Sequence, residues 1–331
     1  MKLRWILPLV AAGLLLSACG NTESKKEGLT VAVIPKGTTH EFWKSIHAGA
    51  VRAQRELAEQ GTDVEIIWKG PLKEDDREQQ VQVVENFIGR RVDGIVLAPL
   101  DAAALVAPVE AAGRAGIPVV VIDSDLNTDQ RVSYVATDNH QGGRLAAERL
   151  SELLGGQGRV ILLRYQVGSA STDAREAGFM EAIREHPGIQ VISDAQYAGA
   201  TRETAYQASQ NLLNRYGREV DGIFTPNESS TVGMLLALRD IGRAGGAVKF
   251  VGFDAGSQSI EALQSGDIQG LVVQNPMRMG YEGVMAITRH VRGEEVTGQL
   301  DTGVMMVTPE NMQEAGAQEL LHPPLAEYLG E

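Results

Sequence analysis

Residues 92–95 read VDGI, and residues 220–223 read VDGI again. Two further short segments have similar copies later in the chain, in the same order. They are GRAG at 113–116, repeated at 242–245, and the pair Ile122-Asp123, repeated as Phe253-Asp254. The offset between the copies stays near 130 residues throughout. Such an ordered repeat predicts two domains of similar build, each with an aspartate at the same place.

Short apolar runs alternate with amphipathic stretches along the chain. The apolar runs are 29–35, 64–68, 94–99, 118–123, 159–164, 220–225 and 248–253. Between them, 77–90 carries Val81, Val84, Phe87 and Ile88 at helical spacing. Apolar runs that are separated by helices are typical of parallel strands covered on both faces. We therefore predict an α/β fold with a doubly wound parallel sheet in each domain.

The repeated aspartates, Asp123 and Asp254, each stand at the end of an apolar run. Ligands of open α/β sheets bind at the carboxyl ends of the strands. Two such edges facing each other predict a cleft with one aspartate on each wall. Three interpretations of the carboxylates stay open: caps of the following helices, the two acids of a glycosidase, and acceptors of hydrogen bonds from ligand hydroxyls.

The N-terminus has the pattern of an export signal. Lys2 and Arg4 precede an uncharged apolar run, which predicts a signal peptide over residues 1–18. The following Leu16-Ser17-Ala18-Cys19 resembles a bacterial lipobox, which implies cleavage before Cys19 and lipidation of that residue; ordinary secretion is the alternative. Residues 19–28 then form the lipidated cysteine and a polar tether. Cys19 is the only cysteine, so an internal disulfide is excluded.

The chain is acidic, with a formal net charge of −13. Removing residues 1–18 takes away two basic residues and makes the mature chain more acidic still. Such a surface repels phosphate backbones, so nucleic acid is not an expected partner. It offers no attraction to anionic lipid either, and membrane contact is expected only through the lipid anchor.

The stretch THEFWKSIHAG (39–49) invites comparison with a zinc motif. A zincin needs His-Glu-x-x-His, whereas Lys44 occupies the second histidine position and His47 comes seven residues after His40. That spacing separates the imidazoles by about 10 Å along a helix, which is too far for one ion. The chain also has no P-loop and no G-x-S-x-G nucleophile. We expect no metal, no cofactor and no catalytic residue.

Two aromatic residues in the same stretch point to a different role. Phe42 and Trp43 follow the first apolar run, at the carboxyl edge of the predicted sheet. On a helix they project about 100° apart, so they do not share one buried face. This favours stacking on a ligand, with burial of Trp43 in the domain core as the alternative.

One set of segments runs in order from about residue 29 to about residue 307. The segments are Phe42-Trp43, VDGIVLAPLD (92–101), PVVVIDSD (118–125), VSYVATDNHQGGRLAAERL (132–150), SASTDAREAGF (169–179), FTPNES (224–229), VGFDAG (251–256) and VVQNP (272–276). As a set they resemble the bacterial periplasmic sugar-binding proteins of the ribose-binding type, which serve ABC importers.

The resemblance implies a type I periplasmic-binding fold with a hinge of three crossovers, near residues 137, 274 and 303. The N-terminal domain then comprises 29–137 plus 275–303, and the C-terminal domain 138–274 plus 304–331.

It also implies a ligand site. In that site Phe42 and Trp43 stack on the ligand, and its hydroxyls are bound by Asp123, Thr137, Asn227, Asp254 and Gln274. Asn227 could instead be a turn residue, and Gln274 a polar residue at a strand end.

Four positions depart from the family pattern. Ser124, Ala98, Asp173 and Ala200 stand where ribose binders carry an arginine, an asparagine, a second arginine and an aromatic residue. Loss of two arginines is not conservative, so we do not expect ribose as the ligand. The candidates for replacement contacts are His40, Glu41, Tyr165, Ser171 and Arg175; Arg175 could equally be a structural ion-pair residue.

The function implied is that of an extracytoplasmic, lipid-anchored solute-binding protein and not an enzyme. It would capture a sugar or polyol-like ligand in the interdomain cleft and deliver it to an ABC permease and its ATPase. One alternative is a ligand sensor that docks to a chemoreceptor or a histidine kinase, and another is a glycoside-processing enzyme that uses Asp123 and Asp254. Repressors of the lactose-repressor type share the fold but begin with a DNA-binding domain, whose place residues 1–28 occupy with signal and tether.

Overall fold

The computed structural model describes Met1 and residues 28–330. The predicted signal peptide, the lipobox with Cys19 and most of the tether lie outside these residues. Within them the strands are β1 (Leu29–Ile34), β2 (Val64–Trp68), β3 (Gly94–Leu97), β4 (Val119–Ile122), β5 (Ser133–Ala136), β6 (Gly158–Leu162), β7 (Ile189–Ser193), β8 (Gly222–Phe224), β9 (Lys249–Phe253), β10 (Gly270–Gln274), β11 (Gln299–Asp301) and β12 (Val304–Val307).

The strands form two six-stranded sheets, in the orders β11-β5-β4-β3-β1-β2 and β12-β10-β9-β8-β6-β7. This confirms the predicted fold class of two doubly wound sheets. One strand differs from the prediction, because β12 is antiparallel to β10. The chain leaves β11 at the carboxyl edge of the first sheet and enters the second sheet at its carboxyl edge. β12 must therefore run in the opposite direction to its neighbours.

Helices cover both faces of each sheet. They are α1 (Glu41–Glu59), α2 (Arg77–Gly89), α3 (Val106–Arg114), α4 (Asn139–Leu153), α5 (Ala170–Ile183), α6 (Arg202–Tyr216), α7 (Glu228–Asp240), α8 (Ser257–Ser265), α9 (Pro276–Val291), α10 (Ala315–Leu321) and α11 (Leu325–Leu329). In the first domain α1 and α9 pack on one face, and α2 and α3 on the other. In the second, α4 and α5 oppose α6, α7, α8 and α10. No helix among residues 28–330 combines the length and hydrophobicity needed to cross a bilayer.

Three short segments carry the chain between the two sheets. They follow β5, β10 and β11. Thr137, in the first of them, donates a hydrogen bond of 3.0 Å to the carbonyl oxygen of Gly303 in the third. The last helix, α11, lies against α1, where Arg55 donates to the carbonyls of Glu327 and Tyr328. The domain limits drawn from the sequence stay a prediction, and α11 returns the chain end to the first domain.

Candidate ligand-binding site

The two repeated aspartates share an uncommon backbone conformation. Asp123 follows β4 with φ of 62°, and Asp254 follows β9 with φ of 70°. Arg91 is the only other non-glycine residue in the described part of the chain with positive φ. Such conformations cost free energy and cluster at functional sites. The internal repeat therefore reproduces a strained turn that ends each central strand in a buried carboxylate.

Asp123 lies beside a buried cation on the first wall. Its Oδ2 is 2.8 Å from Nζ of Lys36, which stands two residues after the end of β1. The same ammonium donates a 3.1 Å hydrogen bond to Oγ of Ser171 at the start of α5. Because α5 belongs to the second domain, Lys36 links the first wall to the second.

Asp254, on the second wall, is hydrogen-bonded to neutral groups of its own domain. Its Oδ1 accepts a hydrogen bond of 2.7 Å from Nε2 of Gln274, and its Oδ2 accepts one of 3.0 Å from the backbone N–H of Glu228. Burial raises the pKa of Asp254 to about 6, although the nearby Arg175 charge and the Gln274 hydrogen bond act in the opposite direction. Oε1 of Gln274 is buried and has no hydrogen-bond partner among the described residues. It is an acceptor available to a ligand hydroxyl.

The aromatic pair lies at the N-terminus of α1. The rings of Phe42 and Trp43 meet edge to face, with centroids 5.0 Å apart. Trp43 is 3% exposed and packs in the core of the first domain, yet it also lines the cleft. Trp43 is therefore a core residue, as the alternative interpretation has it, and its stacking on a ligand stays a prediction. Truncation to alanine would leave a core cavity, so Trp43→Phe tests stacking more cleanly.

A buried carboxylate, Glu74, binds Trp43 of this pair and two side chains beside it. It accepts from Nε1 of Trp43 at 2.6 Å, from Nδ1 of His40 at 2.5 Å and from the hydroxyl of Tyr165 at 2.5 Å. Burial by itself would lower the pKa of His40, but the Glu74 carboxylate outweighs burial and raises it to about 9. Burial would likewise raise the pKa of Glu74, but His40 and Lys36 lower it to about 2. The histidine is thus a cation at neutral pH.

These groups surround a cavity of about 30 Å³ between the two sheets. Most of the predicted site residues line it. They are His40, Phe42, Trp43, Asp123, Tyr165, Ser171, Arg175, Asn227, Asp254 and Gln274. A larger cavity of about 420 Å³ lies next to it and shares Phe42, Glu228, Asp254 and Gln274 with it.

Two predicted site residues are not among those that line the small cavity. Thr137 is at the hinge, where its hydroxyl is bonded to the third crossover. Glu41 lies at the rim, and its carboxylate accepts hydrogen bonds from the backbone and the hydroxyl of Ser257.

Arg175 and Asn227 line the cavity while they serve the second domain. Nε of Arg175 donates to Asn139 at 2.8 Å, and its guanidinium lies 3.9 Å from the centre of the Phe253 ring. Asn227 caps α7, because its Oδ1 accepts from the backbone N–H of Ser230. Neither the ion pair suggested for Arg175 nor the simple turn suggested for Asn227 describes these contacts.

Sequence reasoning missed Lys36, Glu74 and Glu228. Lys36 had a usable signal, since a charged residue follows a mostly apolar strand at the ligand edge of the sheet. Glu228 follows the predicted Asn227 directly, and it is almost fully buried. No signal in the sequence points to Glu74, because it lies in a run of charged residues, 73–78, in which nothing distinguishes it.

Comparison with known proteins shows similarity over both domains. A family model described as a periplasmic binding protein domain matches residues 31–295. A periplasmic component of an ABC-type sugar transport system from Hahella chejuensis is 35% identical, with 84% of this chain and 99% of that one covered and a TM-score of 0.79. A carbohydrate transporter solute-binding protein from Agrobacterium radiobacter, in complex with D-arabinose, is 31% identical, with 90% and 100% covered and a TM-score of 0.84. The xylitol-binding protein of Mycolicibacterium smegmatis is 26% identical, with 92% and 85% covered.

Proposed function

The chain belongs to the periplasmic binding protein family, and from that premise we propose that it captures an uncharged sugar or polyol between its two domains for an ABC importer. The observation that carries the proposal is the pair of strained aspartates at facing strand ends, Asp123 and Asp254. Carboxylates accept strong, charge-assisted hydrogen bonds from hydroxyl groups. An aromatic pair beside them offers an apolar face to the C–H groups of a sugar ring.

The balance of charge in the cleft favours an uncharged ligand. Lys36 lies 2.8 Å from Asp123, and His40 lies 2.5 Å from Glu74. Glu228 has a cation of its own, Arg202, at 2.5 Å. A charged ligand that took the place of one of these cations or carboxylates would leave its partner unpaired at considerable cost. A polyhydroxylated neutral molecule needs only hydrogen bonds.

Ligand entry requires the two walls to separate. Small-molecule pockets typically measure about 300–1,000 Å³, whereas the cavity between the aspartates measures about 30 Å³. The three crossovers between the sheets supply a hinge for that movement. A ligand favours closure only through contacts with both walls. We propose that the closed form, with the two domains divided as the sequence predicts, is what docks to the permease and its ATPase.

The N-terminal pattern supports export and lipid attachment at Cys19 as part of the same proposal. The protein would then work outside the cytoplasm, tethered at the membrane by its lipid. Cys19→Ala tests this directly. We expect the variant to lose incorporation of radiolabelled palmitate, and retained incorporation would contradict the lipid anchor.

The function itself is tested by a thermal-shift screen. The panel contains D-arabinose, D-fucose, D-tagatose, D-ribose, xylitol and myo-inositol, with gluconate and glucosamine as charged comparators. A ligand that binds only the folded protein raises the midpoint of unfolding by mass action. We expect a neutral compound to raise it and to be recovered unchanged. A rise with the charged comparators alone, or chemical conversion of the bound compound, would contradict the proposal.

A further inference from the structure

Two of the helices that begin at the cleft, α1 and α8, lack side-chain N-terminal caps of their own. The residue before α1 is His40 and the residue before α8 is Gly256, and neither provides a side-chain hydrogen bond to its helix. By contrast, α2 and α4 are capped by Asp76 and Asp138. The first backbone N–H groups of a helix have no partner within the helix. The caps of α1 and α8 must therefore come from elsewhere.

The missing caps come from across the cleft. Glu228, of the second domain, accepts hydrogen bonds from the backbone N–H of Phe42 at 3.1 Å and of Glu41 at 3.4 Å, at the start of α1. Glu41, of the first domain, accepts from the backbone N–H of Ser257 at 2.8 Å and from its hydroxyl at 2.7 Å, at the start of α8. Each domain thus caps a helix of the other, and a carboxylate is the favoured group at a helix N-terminus.

One cation serves both carboxylates. Nη2 of Arg202 is 2.5 Å from Glu228 and 4.0 Å from Glu41. Glu228 is almost fully buried, whereas Glu41 is partly exposed at the rim. The cation therefore reduces the repulsion between two carboxylates that meet only when the domains approach.

We propose that Glu41 and Glu228 are positioning residues for ligand binding, which lock Phe42 and Trp43 at the cleft by capping α1 and α8 reciprocally across it. We call these two cross-domain caps the capping latch. Opening the cleft breaks both caps together, because each joins one domain to the other. The latch consists of contacts between protein atoms, so it stabilises the closed arrangement even when no ligand is bound. The inference rests on the proposed function in assigning the latch to ligand capture.

Hydrogen exchange of backbone amides, followed by NMR on the full chain without added sugar, tests the latch. The amides of Phe42 and Ser257 should be protected in the unsubstituted protein. Glu41→Ala should speed exchange of Ser257 about tenfold. It should also speed exchange of Phe42, which is capped by a different residue. This cross-effect identifies a reciprocal latch, since a purely local cap would change its own helix alone.

Two further variants complete the test. Glu228→Gln keeps the volume of the buried side chain and guards against misfolding; it should weaken protection of Phe42 and Ser257 together. Asp76→Ala is the matched control, since it removes a cap within one domain and should speed exchange of Gln79 only. Unprotected amides in the unsubstituted protein, or a Glu41→Ala effect confined to Ser257, would overturn the inference. Because no sugar is present, these outcomes are independent of the thermal-shift screen, which tests the function.

Discussion

Asp123 and Asp254 occupy corresponding positions in the two domains, but their surroundings differ. Each follows a central strand, and each holds a positive φ. Asp123 faces a buried ammonium group at 2.8 Å. Asp254 accepts hydrogen bonds from an amide N–H and a backbone N–H, and burial raises its pKa to about 6. The fold thus places a carboxylate at the same position on each wall. The neighbouring side chains differ, so the two carboxylates lie in different electrostatic environments.

The comparison indicates that the two aspartates have different roles, one partly structural and one in ligand binding. Asp123 neutralises a buried cation that also contacts the second domain, so part of its role is structural. Asp254 has no ion-pair partner of that kind among residues 28–330, and its charge costs free energy until a ligand donates hydrogen bonds to it. A substitution of Asp123 should therefore lower stability more than a substitution of Asp254. A substitution of Asp254 should mainly lower ligand affinity.

The largest effect is expected from Asp123→Asn. The substitution keeps the side-chain shape and tolerates positive φ, but it leaves Lys36 buried without its counter-charge. We expect the free energy of unfolding to fall by about 3 kcal/mol, measured by urea denaturation. The double variant Lys36→Met/Asp123→Asn should recover much of that loss. If the single variant is as stable as the unsubstituted protein, Asp123 has no structural role.

The second effect is on affinity, in Asp254→Asn. Gln274 can rotate its amide by 180° and accept a hydrogen bond from the new amide through Oε1, so stability at pH 8 should be kept. Affinity for the sugar found in the screen should fall about 10–100-fold, because a charge-assisted hydrogen bond becomes a neutral one. The measurements are calorimetric titration and urea denaturation. A variant that loses stability but keeps affinity would reverse the assignment of the two walls.

The third effect is a pH dependence of ligand affinity, which protonation of Asp254 on the second wall should cause. Below pH 6 Asp254 takes up a proton, so affinity should fall by up to about tenfold per pH unit. His40, with a pKa of about 9, and Glu74, with a pKa of about 2, keep their charges from pH 7 to pH 5. Titration of the Asp254→Asn variant should show no such decline, and an identical decline in it would place the titrating group elsewhere.

Stability should move in the opposite direction to affinity over the same range. The native pKa of Asp254 is raised above its ordinary value of 3.8, so the folded state binds a proton that the unfolded chain does not. The contribution of Asp254 to the free energy of unfolding should therefore rise as the pH falls from 6 to 5. Urea denaturation at both pH values, compared with Asp254→Asn, isolates this contribution.

The smallest effect comes from a substitution that leaves both walls intact but hinders their approach. Gly168 of the second domain lies against Asp101 of the first, and a Cβ at Gly168 would be only 2.3 Å from Oδ2 of Asp101. Gly168→Ala should weaken affinity about fivefold by opposing closure. Gly266→Ala is the matched control, since Gly266 also has positive φ but has open space around its Cβ position. Equal affinities in the two variants would show that Gly168 does not limit closure.

The sequence predicted the parts of the site that follow from strand ends. Asp123 and Asp254 were predictable because a repeated aspartate ends a repeated apolar run. The partners of these residues were not, since Lys36 and Ser171 are 135 positions apart and meet only when the domains close. The antiparallel β12 was missed because its direction depends on how the chain crosses the cleft, and Thr137 was placed in the site although it bonds within the hinge.

The most direct test of the central claim is calorimetric titration of the sugar from the screen into four proteins: unsubstituted, Asp123→Asn, Asp254→Asn and the double variant. If one ligand bridges both walls, each single substitution should weaken binding at least about tenfold. The double variant should then lose less than the sum of the two, because residues that share a ligand are coupled. Unchanged affinity in either single variant would contradict a ligand held between the two aspartates.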